Sequence, residues 1–168
     1  MNIIIPFFEN QLKEEAVSTR KMLTTVPDGK IDWQPHPKRM SIRQLAVHLA
    51  EIPGWIPLGL NTSELDFAKG EYKATEANTV KELLSIFEEN HERALEVLSK
   101  TDDEYVKKNK WAMRSGEQIF FTISKEDVIR MSISQMIHHR AQLGVFLRLL
   151  DIPIPGPYGP SADEMNFS

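Results

Sequence analysis

The sequence predicts an all-α protein, a four-helix bundle with at least one crossover connection, on the basis of three observations. Apolar residues recur at steps of three and four along four long segments, which is the spacing of one helix face. Three of these segments open with residues typical of helix starts, and prolines or glycines interrupt or follow the first, second and fourth segments. Amphipathic helices of this length must bury their apolar faces on one another, and a four-helix bundle does this.

The first segment extends from about Ile5 to about Val26. Pro27 and Gly29 follow it, and because a proline disfavours helical backbone at the residue before it, the helix is expected to end there. The predicted inward stripe consists of Ile5, Phe8, Leu12, Ala16, Thr19, Leu23 and Val26.

The second segment begins with Ser41 and Gln44, which have the spacing of a capping box. Pro53 and Gly54 are expected to kink or break this helix, which then continues to about Leu60. Its predicted inward face consists of Leu45, His48, Leu49 and Ile52.

The third and fourth segments also carry start signals. Thr79 and Glu82 form a capping box for a third helix that ends near Lys100. Ser124 opens the fourth, which extends to about Asp151. The predicted inward track of the fourth helix is Val128, Met131, Gln135, His139 (or His138), Gln142, Phe146 and Leu150.

The connections between helices distinguish this chain from a simple up-down-up-down bundle. Residues 61–78 and about 101–123 form long connections, so a crossover is expected. Within the second of these, residues 111–122 contain a Ser-Gly pair between β-prone stretches and are predicted to form either a small β-hairpin or an ordered loop. The whole chain, residues 1–168, is interpreted as one domain.

Composition and charge exclude several classes of function. Of the 168 residues, 41% are hydrophobic and 26% are charged, as in ordinary globular proteins. A formal charge of −4 without a Lys/Arg block argues against nucleic-acid binding. The absence of cysteine excludes disulfides and thiolate catalysis. Residues 1–8 are apolar but lack the features of a signal peptide or membrane span, so a cytoplasmic protein without membrane contact is expected.

The candidate site consists of polar side chains that interrupt the apolar helix faces. His48 lies on the inward face of the second helix. Gln135 and His139 lie four residues apart on the fourth helix, so they project from neighbouring turns of one face. Together the three residues could ligate a divalent metal and leave a position open for water or substrate. The amide oxygen of Gln135 is a weaker ligand than an imidazole.

Other interpretations of the histidines stay open. A lone histidine on an apolar face is more often a hydrogen-bonded core residue than a ligand. Only one of His138 and His139 can face inward, because adjacent helical residues point about 100° apart, and the pair could also be a surface patch. His91 is expected at the core boundary with its tip in water, rather than as a further inward imidazole. His36, which lies between two prolines, is expected to be exposed.

Four parts of the chain resemble the DinB-like (YfiT-like) proteins. The segment HHRAQLGVFLR at residues 138–148 is similar to the H-H-R-G-Q-L…L-R segment of that family. Residues 41–55, with His48 at their centre, resemble the family's first histidine helix. The tail at residues 158–164 and the loop at residues 32–35 are also similar, so the resemblance spans nearly the whole chain.

The resemblance implies a crossover four-helix bundle, commonly a homodimer, in which three histidines hold a divalent metal such as zinc or nickel. One of these histidines matches His48. The other two form an H-x-x-x-H pair, whose second member precedes the arginine and matches His139. The first member would fall at position 135, where this chain has Gln135. Two of the three implied ligands are therefore kept, and one is replaced.

Two hypotheses of function follow from the resemblance. The first is a metal-dependent enzyme, either a hydrolase or a transferase that joins a low-molecular-weight thiol to a small-molecule substrate, with Glu51 as a candidate general base. The second is a non-catalytic bundle that has lost the metal and serves as a small-ligand-binding or dimeric scaffold. In that case His48, Gln135 and His139 would form a closed hydrogen-bond network. A third hypothesis, partner binding through exposed apolar surface, depends on residues 55–58.

Overall fold

The computed structural model describes residues 2–70 and 75–165, so part of the predicted connection at residues 61–78 lies outside the described residues. The structure is mostly helical and also contains a small sheet. In the described ranges, no helix combines the length and apolar character that crossing a bilayer requires. The described helices are α1 (Ile4–Thr24), α2 (Ile42–Glu51), α3 (Trp55–Asn61), α4 (Val80–Ser99), α5 (Asp103–Lys108) and α6 (Lys125–Leu149), and the strands are β1 (Glu64–Asp66), β2 (Lys110–Ser115) and β3 (Gln118–Ser124).

Local sequence signals fix the ends of the long helices. Ser41 caps α2 by accepting a hydrogen bond from the backbone N–H of Gln44, whose side chain accepts one from the backbone N–H of Ser41. Thr79 and Glu82 form the equivalent box at the start of α4. Beyond α2, a 3₁₀ turn containing Pro53 leads into α3. The predicted helix starts and the predicted interruption at Pro53 are therefore confirmed.

The predicted hairpin is also confirmed. Strands β2 and β3 pair antiparallel, with Trp111 opposite Ile123, and Gly116 takes a φ of 56° at the turn between them. Strand β1 adds to the other edge of β2 in parallel, which gives the order β1-β2-β3. Neither β1, with 3 residues, nor α5, with 6, was predicted, because elements this short show no complete periodic pattern.

The long helices pack so that α1 and α2 each contact both α4 and α6, and α3 extends the contacts of α2 with the same two helices. A large apolar cluster fills the space between them. A smaller cluster of Leu65, Trp111 and Val128 joins the sheet to α6. The predicted crossover connection stays a prediction.

The buried face of α6 differs from the predicted one. Gln135, expected to point inward, is exposed, and His139 is half-buried. Arg140 lies at the centre of the buried face and is only 2% exposed. It can be buried because its guanidinium forms an ion pair with Glu15 of α1 at 2.7 Å, and a pattern of apolar residues does not reveal a paired charge. The buried residues of α6 are Lys125, Val128, Ile129, Ser132, Ile133, Met136, Arg140, Leu143, Gly144, Phe146 and Leu147.

The apolar segment at residues 55–58 forms part of the core. Ile56 and Pro57 are buried, while Trp55 and Leu58 are half-buried against the smaller apolar cluster. This packing removes the exposed surface on which the hypothesis of partner binding through these residues depended.

Candidate functional site

The structure brings His48 and His139 into contact. His48 lies in the last turn of α2, and His139 lies in the second half of α6, which packs against α2. The centres of the two imidazole rings are 4.7 Å apart, and the ring planes meet at 75°. Both residues are half-buried. The two imidazoles therefore meet edge to face at the boundary between the core and the solvent.

Burial lowers the pKa of both imidazoles. Desolvation is the main cause for His48, and the negative charge of Glu51 partly opposes it. Desolvation is also the main cause for His139, whose pKa is lowered further by the neighbouring His48. Both rings are therefore expected to be neutral at pH 7, and the neutral imidazole is the form that can ligate a metal.

The tautomer of His139 follows from its contact with Gln142. The Nδ1 atom of His139 lies 3.3 Å from the side-chain oxygen of Gln142, which can only accept a hydrogen bond. The side-chain nitrogen of Gln142 donates to Nε2 of the exposed His138 at 2.9 Å. With the amide of Gln142 in this orientation, Nδ1 of His139 carries the proton and Nε2 keeps a lone pair. Metal-binding histidines commonly show this arrangement, in which one ring nitrogen donates to the protein and the other binds the ion.

Gln135 shares a cavity with His48. It is exposed on α6. Across residues 2–70 and 75–165, no hydrogen bond joins His48, Gln135 and His139 to one another, so the closed network expected of a scaffold is replaced by the contacts of Gln142.

Glu51 lies on the solvent side of His48. One of its carboxylate oxygens accepts a hydrogen bond from the backbone N–H of Thr75 at 3.0 Å. Glu51 and His48 both line an open groove of about 730 Å³ whose walls carry several charged residues, and the charge of Glu51 acts on His48. Its role as a general base stays a prediction.

On the opposite side of His48 lies a smaller cavity of about 250 Å³, which we call the apolar cavity. The sheet forms one wall through Met113 of β2 and Phe121 of β3. Sequence patterns did not identify these two residues as part of a site, because only the hairpin's packing on the helices places them beside His48. The cavity is lined by His48, Ile52, Trp55, Met113, Phe121, Met131, Ser132 and Gln135.

Comparison with known proteins identifies the family. The model of the DinB family matches residues 8–166 of the 168. The chain belongs to the DinB family. None of the curated protein sequences compared with it gives a match.

Solved structures share the fold of this DinB family member at low sequence identity. The DinB-like protein YjoA from Bacillus subtilis is 12% identical with a TM-score of 0.68, over 89% of this chain and 96% of that one. YfiT from Bacillus subtilis, described as a probable metal-dependent hydrolase with an unusual four-helix bundle topology, is 18% identical with a TM-score of 0.65, over 89% of each chain. A mycothiol-dependent maleylpyruvate isomerase is 12% identical with a TM-score of 0.56, over 86% of this chain and 64% of that one. At these identities the likeness shows the fold alone.

The spacing of two imidazole rings in this DinB family member is compatible with two ligands of one divalent metal. Two imidazoles on one zinc ion, with metal–nitrogen bonds of about 2 Å, have ring centres roughly 5 Å apart. The separation of 4.7 Å between the rings of His48 and His139 agrees with this. Among the described residues no group of three or more His, Cys, Asp or Glu side chains is placed to hold a metal. Gln135, the third residue of the predicted ligand set, is an amide and belongs to none of these four residue types, so its part in a metal site stays a prediction.

His91 is placed differently from the prediction. It was expected at the core boundary with its tip in water, but it is only 6% exposed, and its Nε2 atom is buried without a hydrogen-bond partner in the described structure. Its ring stacks on Phe87 at a centroid distance of 5.9 Å, and its Nδ1 lies 3.3 Å from the guanidinium of Arg20. The apolar stripe of α4 continues through His91, and packing of α1 on α4 covers it. His36 is exposed, as predicted.

Proposed function

We propose that this DinB family member is a metal-dependent enzyme whose divalent cation, zinc or nickel, is held by His48 and His139, with the amide oxygen of Gln135 as a third, weaker ligand. The observation that carries this proposal is the contact of the two neutral imidazoles at 4.7 Å. Gln142 adds support, because its hydrogen bond directs the lone pair of His139 to Nε2.

The residues around the imidazoles would each have a distinct part in the reaction. When bound, a divalent cation supplies a Lewis acid that lowers the pKa of a coordinated water or thiol, so that a nucleophile exists at neutral pH. Gln142 holds the ring of His139 in one orientation and one tautomer. Glu51, at the edge of the groove beside His48, is the group we propose to take up the proton released by the nucleophile.

The proposed reaction is either hydrolysis or transfer of a low-molecular-weight thiol to a small-molecule substrate. The structural likeness to YfiT, described as a probable metal-dependent hydrolase, is consistent with the first. The likeness to a mycothiol-dependent isomerase is consistent with a thiol as the partner of the second. In both reactions the nucleophile would be formed beside His48 and His139.

The rival proposal, a bundle without metal that binds a small ligand or acts as a scaffold, has one observation in its favour. In the described part of the chain, the imidazole pair lacks a third histidine or carboxylate ligand. A two-imidazole site with one amide would bind a metal less tightly than a three-histidine site. The rival predicts that neither zinc nor nickel is retained.

Metal analysis of protein purified without a histidine tag separates the two proposals. After exposure to zinc or nickel and extensive dialysis, the wild-type protein is expected to retain about one ion per chain. His139→Ala should lose this ion, whereas His36→Ala, which removes an exposed histidine outside the site, should keep it. Gln135→His should bind the metal at least about tenfold more tightly, because an imidazole replaces an amide.

Two outcomes would decide against the enzyme. The first is wild-type protein that retains no divalent ion from either metal. The second is an ion that His139→Ala retains as well as His36→Ala does. Either result would leave the rival scaffold as the better account.

Three further properties belong to this proposal. We propose a homodimer, a single domain over residues 1–168 and a crossover connection in the bundle. Both α1 and α2 pack on α4 and α6. This packing supports the crossover, because consecutive helices joined by short loops would pack mainly on each other. A cytoplasmic location also stays a prediction.

A further inference from the structure

The two sides of His48 differ in chemical character. On the outer side, the open groove is lined largely by charged and polar residues, among them Lys38, Arg43 and Glu51. On the inner side lies the apolar cavity, which is smaller and more enclosed. A substrate held near His48 would therefore meet water and charge on one side and apolar side chains on the other.

The walls of the apolar cavity are made of aromatic and thioether side chains. Trp55 comes from α3, Phe121 from β3, and the flexible Met113 and Met131 come from β2 and α6. Methionines adapt their shape and make favourable contacts with aromatic rings. These walls favour an apolar or aromatic group and permit some variation in its shape.

The polar groups of the cavity are few and lie together. Ser132 is buried and donates its hydroxyl proton to the backbone oxygen of Val128 at 2.9 Å, so that proton is already engaged. His48 and Gln135 are among the polar groups that an occupant could meet, and the indole of Trp55 and the oxygen of Ser132 also belong to the lining. Ligand sites typically combine apolar walls with a few convergent polar groups that fix orientation.

The size of the cavity limits the occupant. A closed apolar cavity of about 150 Å³ is known to accept benzene. The apolar cavity, at about 250 Å³, can accept a substituted benzene ring or a branched alkyl chain of similar size. A complete thiol cofactor with polar groups along its length would not suit these walls.

We propose that the apolar cavity binds a single aromatic ring or compact alkyl group of the substrate and thereby holds the substrate's reactive atom beside His48. This proposal rests on the proposed function in so far as it calls the occupant a substrate. The binding itself depends only on the cavity. It assigns the enzyme a preference for small molecules with an apolar group next to the reacting centre. The polar partner of the reaction would approach from the groove.

The first test measures binding of an unreactive probe, 4-fluorobenzyl alcohol, by fluorine NMR titration. The wild-type protein is expected to bind the probe saturably. Benzyl alcohol should displace the probe, whereas glucose, a six-membered ring covered with hydroxyls, should need an at least about tenfold higher concentration to do so. Met131→Trp, which fills the cavity, should weaken binding of the probe at least tenfold. Met165→Trp makes the same substitution at a residue that is 73% exposed in the tail, and it should leave binding unchanged within twofold.

A second variant tests the cavity in a way that does not depend on correct folding of Met131→Trp. Phe121→Ala removes a half-buried ring from the wall, so it should gain affinity for a longer probe, (4′-fluorobiphenyl-4-yl)methanol, relative to the wild-type protein. Circular dichroism of each variant should match that of the wild-type protein. The proposal is overturned by non-saturable binding in the wild-type protein, by undiminished binding in Met131→Trp, or by equal losses in Met131→Trp and Met165→Trp.

A third measurement tests the position of the occupant. Saturating probe should shift the imidazole proton signals of His48, which lines the cavity, and leave those of the exposed His36 in place. A bound probe that leaves the His48 signals unmoved would refute the placement beside the candidate site. The titration is independent of the metal: if the wild-type protein retains no ion yet still binds the probe, the proposed enzyme fails and the apolar cavity remains a ligand site. His139→Ala, which is expected to lose the ion, should still bind the probe, because His139 does not line the cavity.

Discussion

Gln142 shows how one side chain gives two adjacent imidazoles different roles. His138 and His139 point in different directions from α6, and only His139 reaches His48. Gln142 lies between them, with its oxygen toward His139 and its nitrogen toward His138. Because the oxygen accepts and the nitrogen donates, the amide assigns a proton to Nδ1 of His139 and uses the lone pair of His138. His138 is thereby a supporting residue, a role that sequence reasoning left open.

The buried imidazole of His91 predicts a pH dependence of stability. Desolvation lowers its pKa below the ordinary value of 6.5, and the nearby Arg20 lowers it further. At pH values between the folded and the unfolded pKa of His91, the unfolded chain binds more protons than the folded protein does. The stability due to the neutral ring is therefore present above about pH 6.5 and is lost as the pH falls through the folded pKa. His91→Leu should therefore lose less stability than the wild-type protein on acidification from pH 7. Urea unfolding at a series of pH values measures this difference.

The control for this prediction is His36→Leu. His36 is exposed, so its variant should follow the wild-type dependence of unfolding free energy on pH. If His91→Leu and the wild-type protein lost stability in parallel on acidification, the buried imidazole would not be the cause.

At the level of elements, the close approach of α3 to α6 determines the position of the apolar cavity's walls. Gly59 of α3 faces Val128 of α6 so closely that a Cβ atom at position 59 would overlap the valine side chain. A glycine within a helix ordinarily costs stability relative to alanine, by roughly 0.5–1 kcal/mol. Its presence here is explained by the packing of the two helices.

Gly59→Ala is therefore expected to destabilise the protein by about 1–3 kcal/mol, since the two helices must separate to make room for the methyl group. Gly29→Ala is the matched control, because a Cβ atom there meets nothing within 4 Å and the backbone has no positive φ. That control should be neutral or stabilising by up to about 1 kcal/mol. Thermal and urea unfolding of both variants measure the difference, and a Gly59→Ala variant as stable as Gly29→Ala would contradict the packing argument.

The elements that were predicted from sequence are those fixed by local signals. The capping boxes at Ser41 and Thr79 and the break at Pro53 depend on residues within a few positions of one another, so the sequence alone reveals them. The face of α6 and the burial of His91 depend on partners from α1. Contacts between residues distant in sequence leave no periodic pattern, and these two features were predicted wrongly. The approach of His48 to His139 was expected chiefly from the resemblance to a family.

For the molecule as a whole, a buried ion pair joins three separate parts of the chain. Arg140 of α6 pairs with Glu15 of α1 at 2.7 Å, and both side chains are almost fully buried. The hydroxyl of Tyr158, in the proline-rich tail, lies 2.7 Å from the Arg140 guanidinium and within 2.8 Å of both carboxylate oxygens of Glu15. The first helix, the last helix and the tail are thus held at one point. This point is adjacent in sequence to His139, so it also helps to fix the position of the candidate site.

Removal of one member of this ion pair is expected to be costly. Glu15→Ala leaves the guanidinium of Arg140 buried without its counter-charge, which typically costs about 3–5 kcal/mol. The lower end is expected here, because Arg140 keeps hydrogen bonds to the backbone oxygen of residue 15 and to the hydroxyl of Thr19. Urea unfolding measures the loss. Glu9→Ala, which breaks the exposed pair of Glu9 with Lys13, should cost less than about 1 kcal/mol and is the matched control.

The double variant Glu15→Met with Arg140→Met distinguishes an unpaired charge from lost packing. Replacing both members with unbranched apolar side chains leaves no buried charge, so the double variant should be more stable than Glu15→Ala alone. The ring of Tyr158 is largely exposed, so its hydroxyl can turn to water when both partners are gone. If the double variant were as unstable as Glu15→Ala, the destabilisation would come from the loss of shape at this point rather than from the charge. A Glu15→Ala variant no less stable than Glu9→Ala would show that the pair does not hold the helices together.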